Sequence, residues 1–243
     1  MTTVLITGTN RGIGLSLARQ YAIDDAEVIA CCRDPENADA LRSLAAETSD
    51  RVKIVQLDVS DLSSIASLKG AVSDQPIDIL ISNAGVNGTP KDQSANRIDP
   101  ENWLTVMRVN ALAPLLIAQA LRENLLRGTQ KKLVAISSVY GSTGRDYGSG
   151  YSSCVNRYAY RASKAALNNG MRGLARDWAE DGVLVGILDP GFVRTDMPGE
   201  VARSSSLSIS ADESALGLKG YIARLSRDTS GIFQRFWGEE IPW

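Results

Sequence analysis

A chain of 243 residues that is 44% hydrophobic and 22% charged has the size and balance of one α/β globular unit, or at most two small ones. Its 26 Lys and Arg against 28 Asp and Glu leave a net charge of -2, with no electrostatic footprint for nucleic acid or an anionic membrane. Histidine is absent altogether, which excludes Ser-His-Asp and Cys-His catalysis and every imidazole metal site. No metal is expected, and proton transfer must fall to Tyr, Lys, Asp, Glu or an ordered water.

Three cysteines, two of them adjacent (Cys31 and Cys32), make no disulfide framework. Neither a leader nor a membrane span is expected, since the longest apolar stretch, around Ala111 to Leu121, is short for one. The location that fits is the cytoplasm.

In chain order, strands are expected at Thr3 to Thr7, Glu27 to Cys32, Lys53 to Leu57, Ile77 to Ser82, Lys132 to Ser137, Val183 to Leu188 and Ile232 to Trp237. Most are nearly continuous apolar runs, as for strands buried on both faces. Between them, amphipathic patterns predict helices at Gly12 to Ile23, Ala38 to Glu47, Leu62 to Ser73, Pro100 to Leu126 and Ser163 to Glu180. Ser210-x-x-Glu213 reads as a capping box opening one more helix. Repeated strand-helix-strand units imply right-handed crossovers and a Rossmann-type doubly wound parallel sheet with helices on both faces, one catalytic domain over residues 1–243. Two irregular segments, residues 141–156 and 196–209, fall after strands and are expected to wall a substrate cleft.

The first strand runs into Thr7-Gly8-Thr9-Asn10-Arg11-Gly12-Ile13-Gly14, directly before a helix. Glycines there permit a tight turn and close approach of backbone to a pyrophosphate, while the helix start offers free N–H groups. The second strand ends in Arg33 where NAD-specific sites usually carry a carboxylate. With Arg11 it suits a 2′-phosphate, so NADP(H) is preferred over NAD(H), although Asp34, one residue on, could take the NAD role.

Tyr160 and Lys164 lie four residues apart, one helical turn, on the same face. A cation beside a phenol, with an oxidised nicotinamide ring, is expected to lower a pKa that is ordinarily near ~10. Of the tyrosines around it, Tyr147, Tyr151 and Tyr158 have no lysine four residues on.

Together these pieces resemble the short-chain dehydrogenase/reductase family along nearly the full chain. They are Thr7-Gly8-x-x-x-Gly12-x-Gly14, Asp58, Asn83-Ala84-Gly85, Asn110, Ser138, Tyr160-x-x-x-Lys164 and Pro190-Gly191-x-Val193-x-Thr195, in that order. The resemblance implies a hydride transfer between nicotinamide and a carbonyl or hydroxyl carbon. Tyr160 is then the acid/base, Ser138 (rather than Ser137) the hydrogen-bond partner of the reacting oxygen, and Lys164 the ribose ligand. Asn110 holds a relay water where a helix carbonyl is freed by local distortion. Asp58 and Val59 meet the adenine, Asn83 to Gly85 line the inner edge of the cofactor, and Pro190, Gly191, Val193 and Thr195 hold the carboxamide. The phosphate-loop contacts are Gly8, Asn10, Arg11, Gly12, Ile13 and Gly14.

Ser138 and Tyr160 are 22 residues apart, a wider spacing than in many family members. That insertion, the string from Tyr158 to Asn168 and the ending Ile241-Pro242-Trp243 look like the sniffer and C-factor group, whose members include NADPH-dependent carbonyl reductases and proteins named for signalling. A carbonyl reductase is the leading reading and a cofactor-binding regulatory protein the alternative. A nucleotide-sugar enzyme is disfavoured, because only about fifty residues follow the Pro-Gly turn. The partner expected is a small carbonyl or alcohol, against a lining drawn from Tyr147, Tyr151 and Phe192. Cys154 reads as an ordinary loop cysteine. By resemblance, helices at Pro100 to Leu126 and Ser163 to Glu180 pair subunits into a homodimer or homotetramer.

Overall fold

The computed structural model describes residues 1–49, 51–144, 156–197 and 205–243. Seven strands form one parallel sheet in the order β3-β2-β1-β4-β7-β8-β9: β1 (Thr3–Thr7), β2 (Glu27–Cys32), β3 (Val52–Gln56), β4 (Ile79–Ser82), β7 (Lys132–Ile136), β8 (Leu184–Asp189) and β9 (Phe233–Arg235). Alternate residues serve opposite faces. Val4 and Ile6 of β1, Ile79 and Ile81 of β4 and Val134 and Ile136 of β7 enter one core, while Leu5, Leu80, Leu133 and Ala135 enter the other. Both faces are apolar because both are covered, which is why these strands read as unbroken hydrophobic runs.

Helices α1 (Gly12–Ile23) and α2 (Asp39–Glu47), with α8 (Ala211–Arg224), supply the first core through Leu17, Leu41 and Leu218. The second takes Ile65 of α3 (Leu62–Val72), Ile117 of α5 (Ala113–Ala120), Leu125 of α6 (Arg122–Arg127) and Leu167 and Met171 of α7 (Tyr158–Asp177). Strand order reverses between β1 and β4, and in a doubly wound sheet the crevice at that switch point is where ligands bind.

Several boundaries differ from the sequence reading. The expected helix Pro100 to Leu126 is broken into α4 (Pro100–Met107), a π-helical turn Arg108–Leu112, α5 and α6. The helical run Pro100–Ala120, at 21 residues and mean hydropathy 1.2, is also longer than the apolar stretch read from sequence, and it reaches the length and apolarity of a membrane-crossing helix. Here Ala113, Ile117 and Ala118 from it are spent in the core beneath the sheet. Helix α7 begins at Tyr158, earlier than expected, so Tyr160 lies in its first turn. The capping box on α8 is as expected: Ser210 Oγ accepts from Glu213 N–H and the Glu213 carboxylate accepts from Ser210 N–H. A small antiparallel hairpin, β5 (Gln93–Ser94) and β6 (Arg97–Ile98), was not expected.

Candidate active site

A cleft of about 600 Å³ opens at the C-terminal ends of the strands. Its floor is the turn from β1 into α1. Gly8 N–H and Thr9 N–H both donate to Cys31 O, at 2.8 and 3.1 Å, which folds the loop back over β2. Gly8 and Gly12 have φ of 72° and 57°, the left-handed region that favours glycine. Gly14 does not line the cleft. A Cβ on it would stand 2.1 Å from Gly8 O, so it is the close packing of helix on loop that demands glycine there.

Asn83 holds this loop from β4. Its Nδ2 donates to Thr7 O at 2.9 Å and Gly8 O at 3.1 Å, and Thr7 Oγ1 accepts from the N–H groups of Asn83 and Ala84, each at 3.0 Å. The side chain of Asn83 is thus committed to the loop, while Asn83, Ala84 and Gly85 together form part of the cleft wall.

At one end of the cleft lie Leu57, Asp58, Val59 and Ser60. Asp58 Oδ1 accepts from Ser60 N–H at 2.8 Å and Ser60 Oγ at 2.6 Å. Arg33 stands exposed at the end of β2, with Asn10, Arg11 and Ile13 opposite. The neighbouring Asp34 also lines the cleft and accepts from Asn37 Nδ2 at 2.7 Å, while Arg33 has no carboxylate bound among the described residues. Arg11 Nη1 reaches Asp196 at 3.0 Å, an exposed ion pair that spans the opening. Thr195 and Pro190 line the same wall, whereas Gly191 and the buried Val193 do not.

Tyr160 and Lys164 close the other end. The Tyr160 side chain is 8% exposed, and Ser138 hydrogen-bonds its hydroxyl. Lys164 Nζ donates to Ile136 O at 2.9 Å and lies 5.7 Å from the centroid of the Tyr160 ring. Ser137, although on the cleft wall, donates its hydroxyl proton to Asn168 Oδ1 at 2.5 Å. Neither Ser138 nor Asn110 is among the residues that wall the cleft: Ser138 is half-buried beside the Tyr160 hydroxyl, and Asn110 lies in the interior. Asn110 is wholly buried; its Nδ2 donates to Val86 O at 2.8 Å and Ser163 Oγ at 3.0 Å, and its Oδ1 accepts from Val86 N–H at 2.8 Å. It sits in the π-helical turn, where Ala113 N–H bonds Arg108 O, five residues back. Such a turn shifts the hydrogen-bond ladder and is a common mark of a functional site.

The lowering of the phenol was expected with oxidised nicotinamide beside it; the protein by itself acts in the other direction. Burial, against the Ser138 hydrogen bond, pushes the Tyr160 hydroxyl up to about 12 instead of down. Burial also brings Lys164 down to about 8, with Asp189 acting in the opposite sense. In a desolvated pocket, neutral phenol and weakened ammonium are both favoured over their charged forms.

Sequence reasoning did not single out Asp189, Gln93, Thr105, Val109 or Met197. Thr105, Val109 and Met197 line the cleft. Gln93 is buried and accepts Tyr160 N–H at 3.2 Å while donating to Asn87 O at 3.0 Å. No local motif marks these residues; only Asp189, at the end of β8, has a position that signals a site. Tyr147, Tyr151 and Cys154 lie outside the described residues, and Phe192 is 38% exposed.

A short chain dehydrogenase family model matches residues 2–205. The NADPH-bound carbonyl reductase from chicken fatty liver superposes with a TM-score of 0.90 at 31% identity, covering 100% of this chain and 99% of that one. The carbonyl reductase Sniffer of Drosophila melanogaster gives 0.84 at 27% identity, with both chains covered at 100%. C-signal of Myxococcus xanthus is 33% identical over 168 residues, 69% of this chain and 93% of that protein. With a matched family model, a doubly wound sheet and the glycine loop and Tyr160–Lys164 turn in one cleft, the chain belongs to the short-chain dehydrogenase family and is most like its sniffer and C-factor group.

Proposed function

We propose that this oxidoreductase is an NADP(H)-dependent carbonyl reductase. The observation that carries the reading is the cleft itself, with two arginines at one end and a buried, protonated phenol at the other. Gly8 to Ile13 would hold the pyrophosphate against the start of α1, with Arg11 and Arg33 on the 2′-phosphate. Asp58 and Val59 would meet the adenine, and Pro190 and Thr195 the carboxamide, with Gly191 and Val193 shaping the turn between them. Reduced nicotinamide, when bound, supplies the hydride.

Tyr160 would donate its phenolic proton to the carbonyl oxygen, and Ser138 would hold that oxygen in line. Lys164 would bind the ribose and steady the phenolate left behind, and Asn110 would place the relay water that restores its proton. Burial favours the proton-bearing phenol, which is the form that reduction needs. The substrate is then a small carbonyl compound and the enzyme a cytoplasmic homodimer or homotetramer. The likeness to C-signal supports a second reading, a cofactor-binding regulatory protein.

A panel of aromatic aldehydes, quinones, a steroid ketone and a 3-oxoacyl thioester, with NADPH and NADH, tests both. Turnover with NADPH that is lost in Tyr160→Phe while NADPH still binds supports the reductase. Tight NADPH binding with no turnover on any carbonyl favours the regulatory reading.

A further inference from the structure

Asp189 closes β8 with its side chain buried, where two turns of the cleft wall meet. Oδ1 accepts Val139 N–H at 2.8 Å, in the turn that carries Ser138. Oδ2 accepts Gly191 N–H at 3.1 Å, in the turn that follows Pro190. Arg235 Nη1 stands 3.5 Å from the same oxygen, and Arg235 is itself fixed by Glu239 at 3.3 Å and by the Trp237 ring at 4.9 Å.

A buried carboxylate is costly unless its charge is paired and its lone pairs are filled. Here both oxygens take a backbone N–H and a guanidinium faces them, so the charge is held at a fixed place beside the reacting groups. An amide in its stead offers one acceptor and turns an NH₂ toward the other N–H. Only the carboxylate satisfies both turns at once.

We propose that Asp189 is a positioning residue for carbonyl reduction, locking the Ser138 turn to the Pro190–Gly191 turn and keeping a paired negative charge fixed where the two turns meet. The inference rests on the reductase reading for its purpose, though not for its geometry. Several groups face Tyr160: Ser138 and Tyr140 from the turn after β7, Asp189 from β8, and Arg157 and Lys164 from α7. Burial is the main cause that raises Tyr160; the Ser138 hydrogen bond lowers it, Asp189 raises it, and Arg157 and Tyr140 then act in opposite senses. For Lys164 the main cause is burial, which lowers it, and Asp189 raises it.

The test uses Asp189→Asn and Arg235→Gln in the full chain, the second variant also standing in should the first fail to fold. Amide hydrogen exchange at Val139 and Gly191 reads the lock. The tyrosinate absorbance lost when Tyr160→Phe is added to each variant reads the charge, and needs no turnover. The lock predicts exchange about tenfold faster at both amides in Asp189→Asn. The charge predicts Tyr160 ionising at lower pH in Asp189→Asn and at higher pH in Arg235→Gln, where the carboxylate loses its counter-ion. With an accepted carbonyl, kcat of Asp189→Asn falls about tenfold at little change in KM, and the alkaline limb of its profile moves with Tyr160. Faster exchange at only one amide, or Tyr160 ionising as in the wild type in both variants, overturns the proposal. A wild-type chain that reduces no carbonyl overturns the reductase reading instead, and leaves the exchange and absorbance results to decide on Asp189.

Discussion

Asn110 and Val86 grip one another through two hydrogen bonds of 2.8 Å, side-chain amide to backbone amide, which tie the π-helical turn to the segment after β4. Asn110→Ala takes the protein partner from both backbone groups of Val86, at a part-buried place. A loss of about 2–3 kcal/mol in unfolding free energy is expected, together with a fall in kcat, since Gly85 and Val86 wall the cleft. Chemical denaturation and steady-state kinetics measure the two. Unchanged stability would show that the pair carries no net energy.

In the proposed mechanism the raised phenol favours reduction over oxidation at neutral pH. Reduction consumes the protonated form, so its rate should hold steady through neutral pH and decline only as the phenol ionises. Oxidation of the matching alcohol needs the phenolate, which is scarce far below about 12, and should climb up to tenfold per pH unit. Initial rates in both directions across the neutral and alkaline range check the sign. An oxidation rate that is flat with pH would contradict it.

Arg33 has no carboxylate partner among the described residues, so its guanidinium can serve an anion without first breaking an ion pair. Arg33→Ala is expected to weaken NADPH binding by about 10- to 100-fold, the worth of a charge-assisted contact, and to leave NADH within about twofold. Fluorescence titration with both nucleotides decides. Equal losses for the two would move the 2′-phosphate elsewhere.

Lys164 carries its function at a cost to the fold. Its pKa drops from 10.5 to about 8, so between those values the native chain holds fewer protons than the unfolded one and stability rises with pH. Lys164→Met removes the buried charge and the donor to Ile136 O together. The variant should be more stable than the wild type at neutral pH by about 2 kcal/mol, with the gap shrinking above about pH 8, and should be catalytically impaired. Thermal unfolding at a series of pH values reads this, and a gap that widens with pH would refute it.

Much of this was legible from residue patterns. The strands β1 and β2 fall at the expected bounds because both of their faces are buried, and α1 likewise, because Gly12 and Gly14 announce its start. The break in the long helix was legible only through the family resemblance, which implied a local distortion at Asn110: Arg108 to Leu112 has ordinary helical composition, and Asn110 bonds Val86, which is 24 residues away. The hairpin Gln93–Ser94 and Arg97–Ile98 is too short to show alternation, and the buried Gln93 bonds Tyr160 N–H, 67 residues on, as well as the nearer Asn87 O. Asp189 hid for a similar reason, since Val139 and Arg235, two of its partners, lie some 50 residues away on either side.

Residues 142–144 meet their partners a hundred positions on: Ser142 Oγ donates to Pro242 O at 2.5 Å, and Gly144 N–H and Thr143 Oγ1 to Trp243 O. Together with the Asp189–Arg235 contact, these bonds tie both sides of the reacting centre to residues 235–243. The glycine-loop end of the cleft is backed by α1 and α8, whereas the Tyr160 end also needs the last strand and the residues after it. A chain cut before Ile232 should therefore lose turnover sooner than it loses dinucleotide binding, and added dinucleotide should then stabilise the truncated fold.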